Sequence, residues 1–177
     1  SCSGSSPEIS RNLIVSNNAT YHAGGISIYS AAGGPGGQIP IVDNNIIRDN
    51  GGYWGGGLYY NFGAGDITIV NNVFVRNTAQ SGAGLYIDHP RGKFIIKHAT
   101  VVSNNAAVNT DGIYFTGRDD VGGTVEVWNS IAWGNNYDIV DCTPYYTAMQ
   151  RFVAGTGNIP DNPQLVNAGA NNFRLQA

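Results

Sequence analysis

Short apolar runs alternate with polar corners along the chain, and the same order of run, corner and run keeps returning. The clearest copy is Ile67-Thr-Ile-Val-Asn-Asn-Val-Phe-Val-Arg-Asn77, followed by Gly82-Ala-Gly-Leu-Tyr-Ile87. Before it stands Ile39-Pro-Ile-Val-Asp-Asn-Asn-Ile-Ile-Arg-Asp-Asn50, followed by Gly55-Gly-Gly-Leu-Tyr-Tyr60. After it comes Phe94-Ile-Ile-Lys-His-Ala-Thr-Val-Val-Ser-Asn-Asn105, followed by Asp111-Gly-Ile-Tyr-Phe115. Aligning the copies puts Ile9, Ile41, Ile69, Ile96 and Val127 in one column, at spacings of 32, 28, 27 and 31 residues. Such a period, carried by runs of three to five residues with alternating faces, predicts a solenoid rather than a sandwich.

Each copy predicts three short strands. The first is typified by Ile39-Pro-Ile41, both isoleucines inward and Pro40 outward, with Ile67/Ile69 and Val125/Val127 as counterparts. The second carries Ile14, Ile46, Phe74, Val101 and Ala132 inward. The third carries Ile26, Leu58, Leu85, Ile113 and Ile139, with Ile28, Tyr60, Ile87 and Phe115 two positions on. Gly25, Gly57, Gly84 and Gly112 precede the third strand, marking a corner that tolerates no Cβ. Two polar columns close the corners: Asn12, Asn44, Asn72, Ala99 and Ser130, then Asn17, Asp49, Asn77, Asn104 and Asn135. Stacked amides there hydrogen-bond up and down the axis.

The expected fold is all-β: a single-stranded parallel β-helix with three sheets, about five coils and a C-terminal cap. One domain covers residues 1–177, with regular coils over 8–136 and a degenerate last coil and cap over 137–177. Variable segments fall at two corners, after the third strand (30–37, 61–65, 88–92, 116–123) and before it (19–22, 51–54, 106–110). Solenoids put such loops on the faces that bind things.

Composition agrees. There are 25 Gly and only 12% charged residues, yet 42% of the chain is hydrophobic, which excludes disorder. A net charge of −3, with no run of Lys or Arg, gives no reason to expect nucleic acid. No apolar stretch reaches the roughly 18 residues of a membrane span. Ser1 opens in mid-pattern, which suggests a mature fragment or a piece of a longer solenoid. Cys2 and Cys142 stand at opposite ends of the stack, about 24 Å apart at the usual strand spacing, too far for an intrachain disulfide. A bond between stacked copies, and with it end-to-end self-association, stays open.

The chain resembles right-handed parallel β-helix repeat proteins of the bacterial secreted or cell-surface type. Ser5-Ser-Pro-Glu-Ile-Ser-Arg-Asn12, Gly55-Gly-Gly-Leu-Tyr59 and Asn129-Ser-Ile-Ala-Trp-Gly-Asn135 carry the resemblance. Gly157-Asn-Ile-Pro-Asp-Asn-Pro-Gln-Leu-Val166 with Asn172-Phe-Arg-Leu-Gln176 is similar to the closing segment of many such members. The resemblance implies an extracellular or cell-surface location. It leaves activity open, because the family holds polysaccharide lyases, hydrolases, epimerases, adhesins and modules without a known role.

Three surfaces offer chemistry. Tyr59, Tyr86 and Tyr114 form an outward ladder on the third strand, flanked by Tyr53 and Trp54, with His22 and Asp111 above and below. Aromatic rings with a few amides suit the C–H faces of sugars. Asp88, His89, Arg91, Asp119 and Asp120, with Asp66, Lys93 and Arg118, make the one dense ionisable corner. As an enzyme, a polysaccharide lyase or glycoside hydrolase, the protein would place its acid–base groups there. The aliphatic row Val15, Ile47, Val75, Val102 and Trp133 would be an apolar interaction face if exposed. No histidine pair has metal-ligand spacing, and the pattern calls for no cofactor, calcium being the one ion the charged corner would take. The expectation is a non-catalytic module that binds glycan or a partner protein through the tyrosine ladder. The alternatives are the enzyme and a structural stalk or filament subunit.

Overall fold

A computed structural model describes residues 1–4, 6–29, 39–61, 66–108, 111–117, 122–167 and 172–176. Among these, three six-stranded parallel sheets run the length of the molecule. The first sheet holds Cys2–Ser3 (β1), Ile26–Tyr29 (β4), Leu58–Asn61 (β7), Leu85–Asp88 (β11), Ile113–Thr116 (β15) and Ile139–Val140 (β18). The second holds Glu8–Ser10 (β2), Ile41–Asp43 (β5), Ile67–Val70 (β8), Lys93–Lys97 (β12), Thr124–Trp128 (β16) and Thr143–Tyr145 (β19). The third holds Leu13–Val15 (β3), Ile46–Arg48 (β6), Val73–Val75 (β9), Thr100–Val102 (β13), Ile131–Trp133 (β17) and Ala148–Met149 (β20). This is the expected parallel β-helix.

One column of apolar side chains fills the interior. Ile26, Leu58, Leu85, Ile113 and Ile139 pair in register, as do Ile28, Tyr60, Ile87 and Phe115 beside them. Ile9, Val42, Ile69, Ile96 and Val127 form the second-sheet column. Ile14, Ile47, Phe74, Val101 and Ala132 form the third. Strands this short fold only because each is buried by the coil above and below it.

The second coil corrects the expected alignment by one residue. Val42 and Ile47 are buried, whereas Ile39, Ile41 and Ile46 are 48%, 49% and 41% exposed. Pro40 is buried rather than outward. The amide columns account for the shift. Asn45, not Asn44, donates to Asn72 and accepts from Asn12, and Asn50, not Asp49, links Asn17 to Asn77. A ladder position must donate and accept at once, which a carboxylate cannot do. Arg48 therefore replaces Ile47 in the outward row, so that row is Val15, Arg48, Val75, Val102 and Trp133, with Val75 and Val102 buried.

The corners are equally regular. Arg11, Asn44, Asn71, His98, Asn129 and Tyr146 all have φ between 49° and 58°. Each turns the chain from second to third sheet through a left-handed residue. The residue after it points inward to the first polar column, which passes Ala99 and runs on through Ser130, Thr147 and Asn158. The chain past Tyr137 thus keeps the coil path through β19 and β20, and Ile159 bridges Ala148 on top. An antiparallel pair, Leu165–Asn167 (β21) and Asn172–Leu175 (β22), follows.

At the corner leading into the first sheet, glycines pack on one another. A Cβ on Gly57 would stand 2.6 Å from the Gly84 carbonyl oxygen, and one on Gly84 would stand 2.5 Å from that of Gly112. The loops before that corner are themselves stacked. Ala19 N–H donates to Gly51 O at 2.9 Å, Gly52 N–H to Thr78 O at 3.0 Å, and Thr78–Ala79 (β10) pairs with Asn105–Ala106 (β14). Cys2 and Cys142 are both free thiols.

Candidate functional site

The segments that precede the first sheet in the first two coils each end in an aromatic pair, Tyr21-His22 and Tyr53-Trp54. Backbone hydrogen bonds lock one pair over the other: Tyr53 N–H and Trp54 N–H both donate to Tyr21 O, at 3.1 and 3.3 Å. From below, Gln80 N–H donates to Tyr53 O at 2.9 Å. Gly55, at φ 65°, then turns the chain back, where a Cβ would lie 2.1 Å from Leu58 O. The aromatic loops are thus part of the hydrogen-bonded stack.

These loops fold over the tyrosine ladder. Tyr59 is only 2% exposed, and Tyr86 and Tyr114 are half-buried. The His22 ring lies 4.5 Å from Tyr59, 4.9 Å from Tyr29 and 5.5 Å from Trp54. Trp54 stacks toward Tyr59 at 6.3 Å and 23°. The ladder is tilted rather than flat, with Tyr59 and Tyr86 at 38° and Tyr86 and Tyr114 at 81°. It makes a floor beneath the loops. The accessible aromatic surface belongs to Tyr21, 70% exposed, and Tyr53, 47% exposed, together with Trp54.

Tyr21 and Tyr53 both stand near-perpendicular to Trp54, at 86° and 87°, with ring centroids 6.3 and 5.0 Å away. Thr20, Tyr21, Tyr53 and Trp54 line a cleft of about 340 Å³. A neighbouring cleft of about 440 Å³ shares Thr20 and Tyr21 and adds Asn18, His22, Ser27 and Tyr29. Among the described lining residues of both clefts, no carboxylate, lysine or arginine side chain appears. Tyr21, Asn18 and Thr20 were not among the binding residues expected from the sequence. The available signal was that Tyr21-His22 and Tyr53-Trp54 occupy the same loop in successive copies.

Under the aromatics lies Asp88, the centre of the charged corner. Its carboxylate accepts from Tyr59 Oη at 3.0 Å, Asn61 Nδ2 at 2.5 Å and Thr116 Oγ1 at 2.8 Å, and His89 Nδ1 abuts it. Burial, reinforced by the Asp88 charge, pushes the Tyr59 phenol far up, which keeps it a donor. Burial also raises Tyr86 and Tyr114 and holds His22 below its usual range, with Asp88 opposing the last shift. Arg91 is exposed, and Asp66 accepts the Lys93 backbone N–H at 2.8 Å. Arg118, Asp119 and Asp120 lie outside the described residues. The Asp88 carboxylate is thus committed to its own neighbours, an arrangement that ties three coils together.

Residues 3–148 match the family model described as the right-handed beta helix region, and the chain belongs to that family. Neither a curated protein nor a solved structure matches it at a significant level.

Proposed function

We propose that this protein is a non-catalytic, extracellular or cell-surface module that binds neutral carbohydrate in the cleft of Tyr21, Tyr53 and Trp54. The observation that carries this reading is the aromatic box, held by backbone hydrogen bonds between its loops, open to solvent and sharing Thr20 and Tyr21 with a cleft bearing amide and hydroxyl groups. Rings offer their faces to sugar C–H groups, and Asn18, Thr20 and Ser27 supply hydrogen bonds. Each cleft falls in the range of about 300–1,000 Å³ typical of small-ligand sites. The uncharged lining of the Thr20, Tyr21, Tyr53 and Trp54 cleft favours neutral sugars over uronates or sulfated chains, because nothing in that cleft repays the desolvation of an anion. Catalysis by Asp88 is disfavoured because its carboxylate already accepts from three internal donors.

An array of neutral glycans probed with wild type, Trp54→Ala, Tyr53→Ala and Tyr114→Ala tests this. The expected result is binding by wild type, reduced at least about tenfold in the first two variants, as for loss of a contact worth about 1.4 kcal/mol, and retained in Tyr114→Ala. Binding untouched by Trp54→Ala would sink the assignment. Cleavage of a bound glycan would replace it with the enzyme reading.

A further inference from the structure

Asp111 closes the loop of the fourth coil, and the residue is 1% exposed. Oδ1 accepts the Ala106 backbone N–H at 2.6 Å, while Oδ2 is buried without a hydrogen-bond donor. A buried carboxylate oxygen left without a partner is costly, and folded proteins meet such oxygens with a donor or a cation.

A second buried acid lies on the next coil. Asp138 is fully buried and stacks on Gly112, next in the chain to Asp111. Its oxygens are occupied by the Asn135 side-chain amide at 2.9 Å, the Asn135 backbone N–H at 3.3 Å and the Arg151 backbone N–H at 2.8 Å. Burial pushes that carboxyl up from its ordinary range. The Arg151 guanidinium sits 3.9 Å over the Tyr137 ring. Two buried acids on adjacent coils therefore share one corner, and no cationic side chain lines the cleft beside it among the described residues.

That cleft, of about 430 Å³, is lined by Asp111 together with Ser103, Asn105, Asn136 and Gln150, and these last four are exposed at its rim. Hydroxyl and amide oxygens around one carboxylate are the donor set of a hard cation. We propose that the Asp111 cleft binds a divalent cation of the calcium class. Asp111 Oδ2 is the anionic ligand, and oxygens of Ser103, Asn105, Asn136 or Gln150 complete the shell with water. No cluster of three or more carboxylate, histidine or cysteine ligands exists among the described residues. The affinity accordingly falls at the weak end, about 10⁻⁴–10⁻³ M, where extracellular calcium modules operate. The cation would pin the loop of the fourth coil to the fifth. This site shares no lining residue with the aromatic cleft, so the two assignments stand or fall separately.

The test compares thermal unfolding of wild type, Asp111→Asn and Asp88→Asn in chelator and in millimolar calcium, with calorimetric calcium titration alongside. Asn keeps an oxygen for the Ala106 N–H, so Asp111→Asn should fold and melt in chelator no lower than wild type. Calcium should raise the wild-type midpoint by about 3–5 °C when present at roughly ten times its Kd. It should raise that of Asp88→Asn equally and leave Asp111→Asn unmoved, and Gln150→Ala should weaken the titrated affinity severalfold. No calcium heat or shift in wild type, or an equal shift in Asp111→Asn, would overturn the proposal.

Discussion

Asn77 donates twice to one oxygen of Asn104, from its backbone N–H and from Nδ2, both at 3.0 Å. In turn its own Oδ1 accepts the same two donors from Asn50, each at 3.1 Å, and Nδ2 also reaches Ile47 O at 3.0 Å. The side chain is fully buried. Asn77→Ala should therefore cost about 3 kcal/mol, because several buried groups lose a partner together. Asn77→Asp should cost at least as much, since a carboxylate donates nothing to Asn104 or Ile47. Asn17 ends the same column in an exposed position, and Asn17→Ala should cost about 1 kcal/mol or less. Urea unfolding midpoints with unchanged slope would check all three.

Gly84→Ala should be among the most damaging single substitutions in the stack. The added Cβ would meet Gly112 O at 2.5 Å and Val101 Cγ1 at 2.9 Å, so two coils must separate to admit it. A loss of about 3 kcal/mol or more is expected. Gly4→Ala, at φ 60° with open space around it, should lose about 1 kcal/mol from backbone strain alone. Equal losses in the two variants would show that the corner is looser than this packing requires.

The first-sheet columns were legible because the motif Gly-Leu-Tyr and its kin fix the strand start with a glycine that only one register satisfies. The second coil was not, because Asn44-Asn45, Ile46-Ile47 and Asp49-Asn50 are near-doublets, and hydrophobicity alone reads them either way. What decides between them is whether a ladder position can donate as well as accept, a property of Asn against Asp. The outward direction of Tyr59 was readable from alternation, but its cover was not. Trp54 and His22 reach over it from loops whose path alternation does not encode. Asp111 was noted as a neighbour of the ladder, while its unpartnered oxygen is visible only once the loop is folded.

Tyr59 separates support from contact. Tyr59→Phe keeps the ring under His22 and Trp54 and removes the hydrogen bond that the hydroxyl donates to Asp88 at 3.0 Å and the one it accepts from Asn61 Nδ2 at 2.7 Å. Stability should fall by about 1–2 kcal/mol, while glycan affinity stays within about twofold, a change under about 0.5 kcal/mol. Tyr59→Ala should lower both, with about 3–5 kcal/mol of stability lost to the cavity beneath the loops. A Tyr59→Phe variant that binds no glycan yet folds normally would place the phenol itself in the site.

His22 should make the aromatic floor sensitive to mild acid. Burial depresses its imidazole, with Asp88 partly restoring it, so the unfolded chain takes up a proton before the folded chain does. Its contribution to stability is therefore complete above the unfolded value of about 6.5 and declines as pH falls through that value toward the folded one. Asp138 works in the opposite sense. Burial raises its carboxyl, so its contribution is present below the ordinary carboxylate range and lost as pH rises through the folded value. Asp49 is lowered by the Arg76 hydrogen bond, and its contribution disappears only in stronger acid. The wild-type melting temperature should thus hold steady between about pH 7 and pH 8 and begin to fall near pH 6.5. His22→Phe, an aromatic that fills the same space without a titrating nitrogen, should flatten that interval and leave the more acidic limb in place. A fall near pH 6.5 that survives in His22→Phe would move the sensitivity to another group and free the aromatic floor from any role in it.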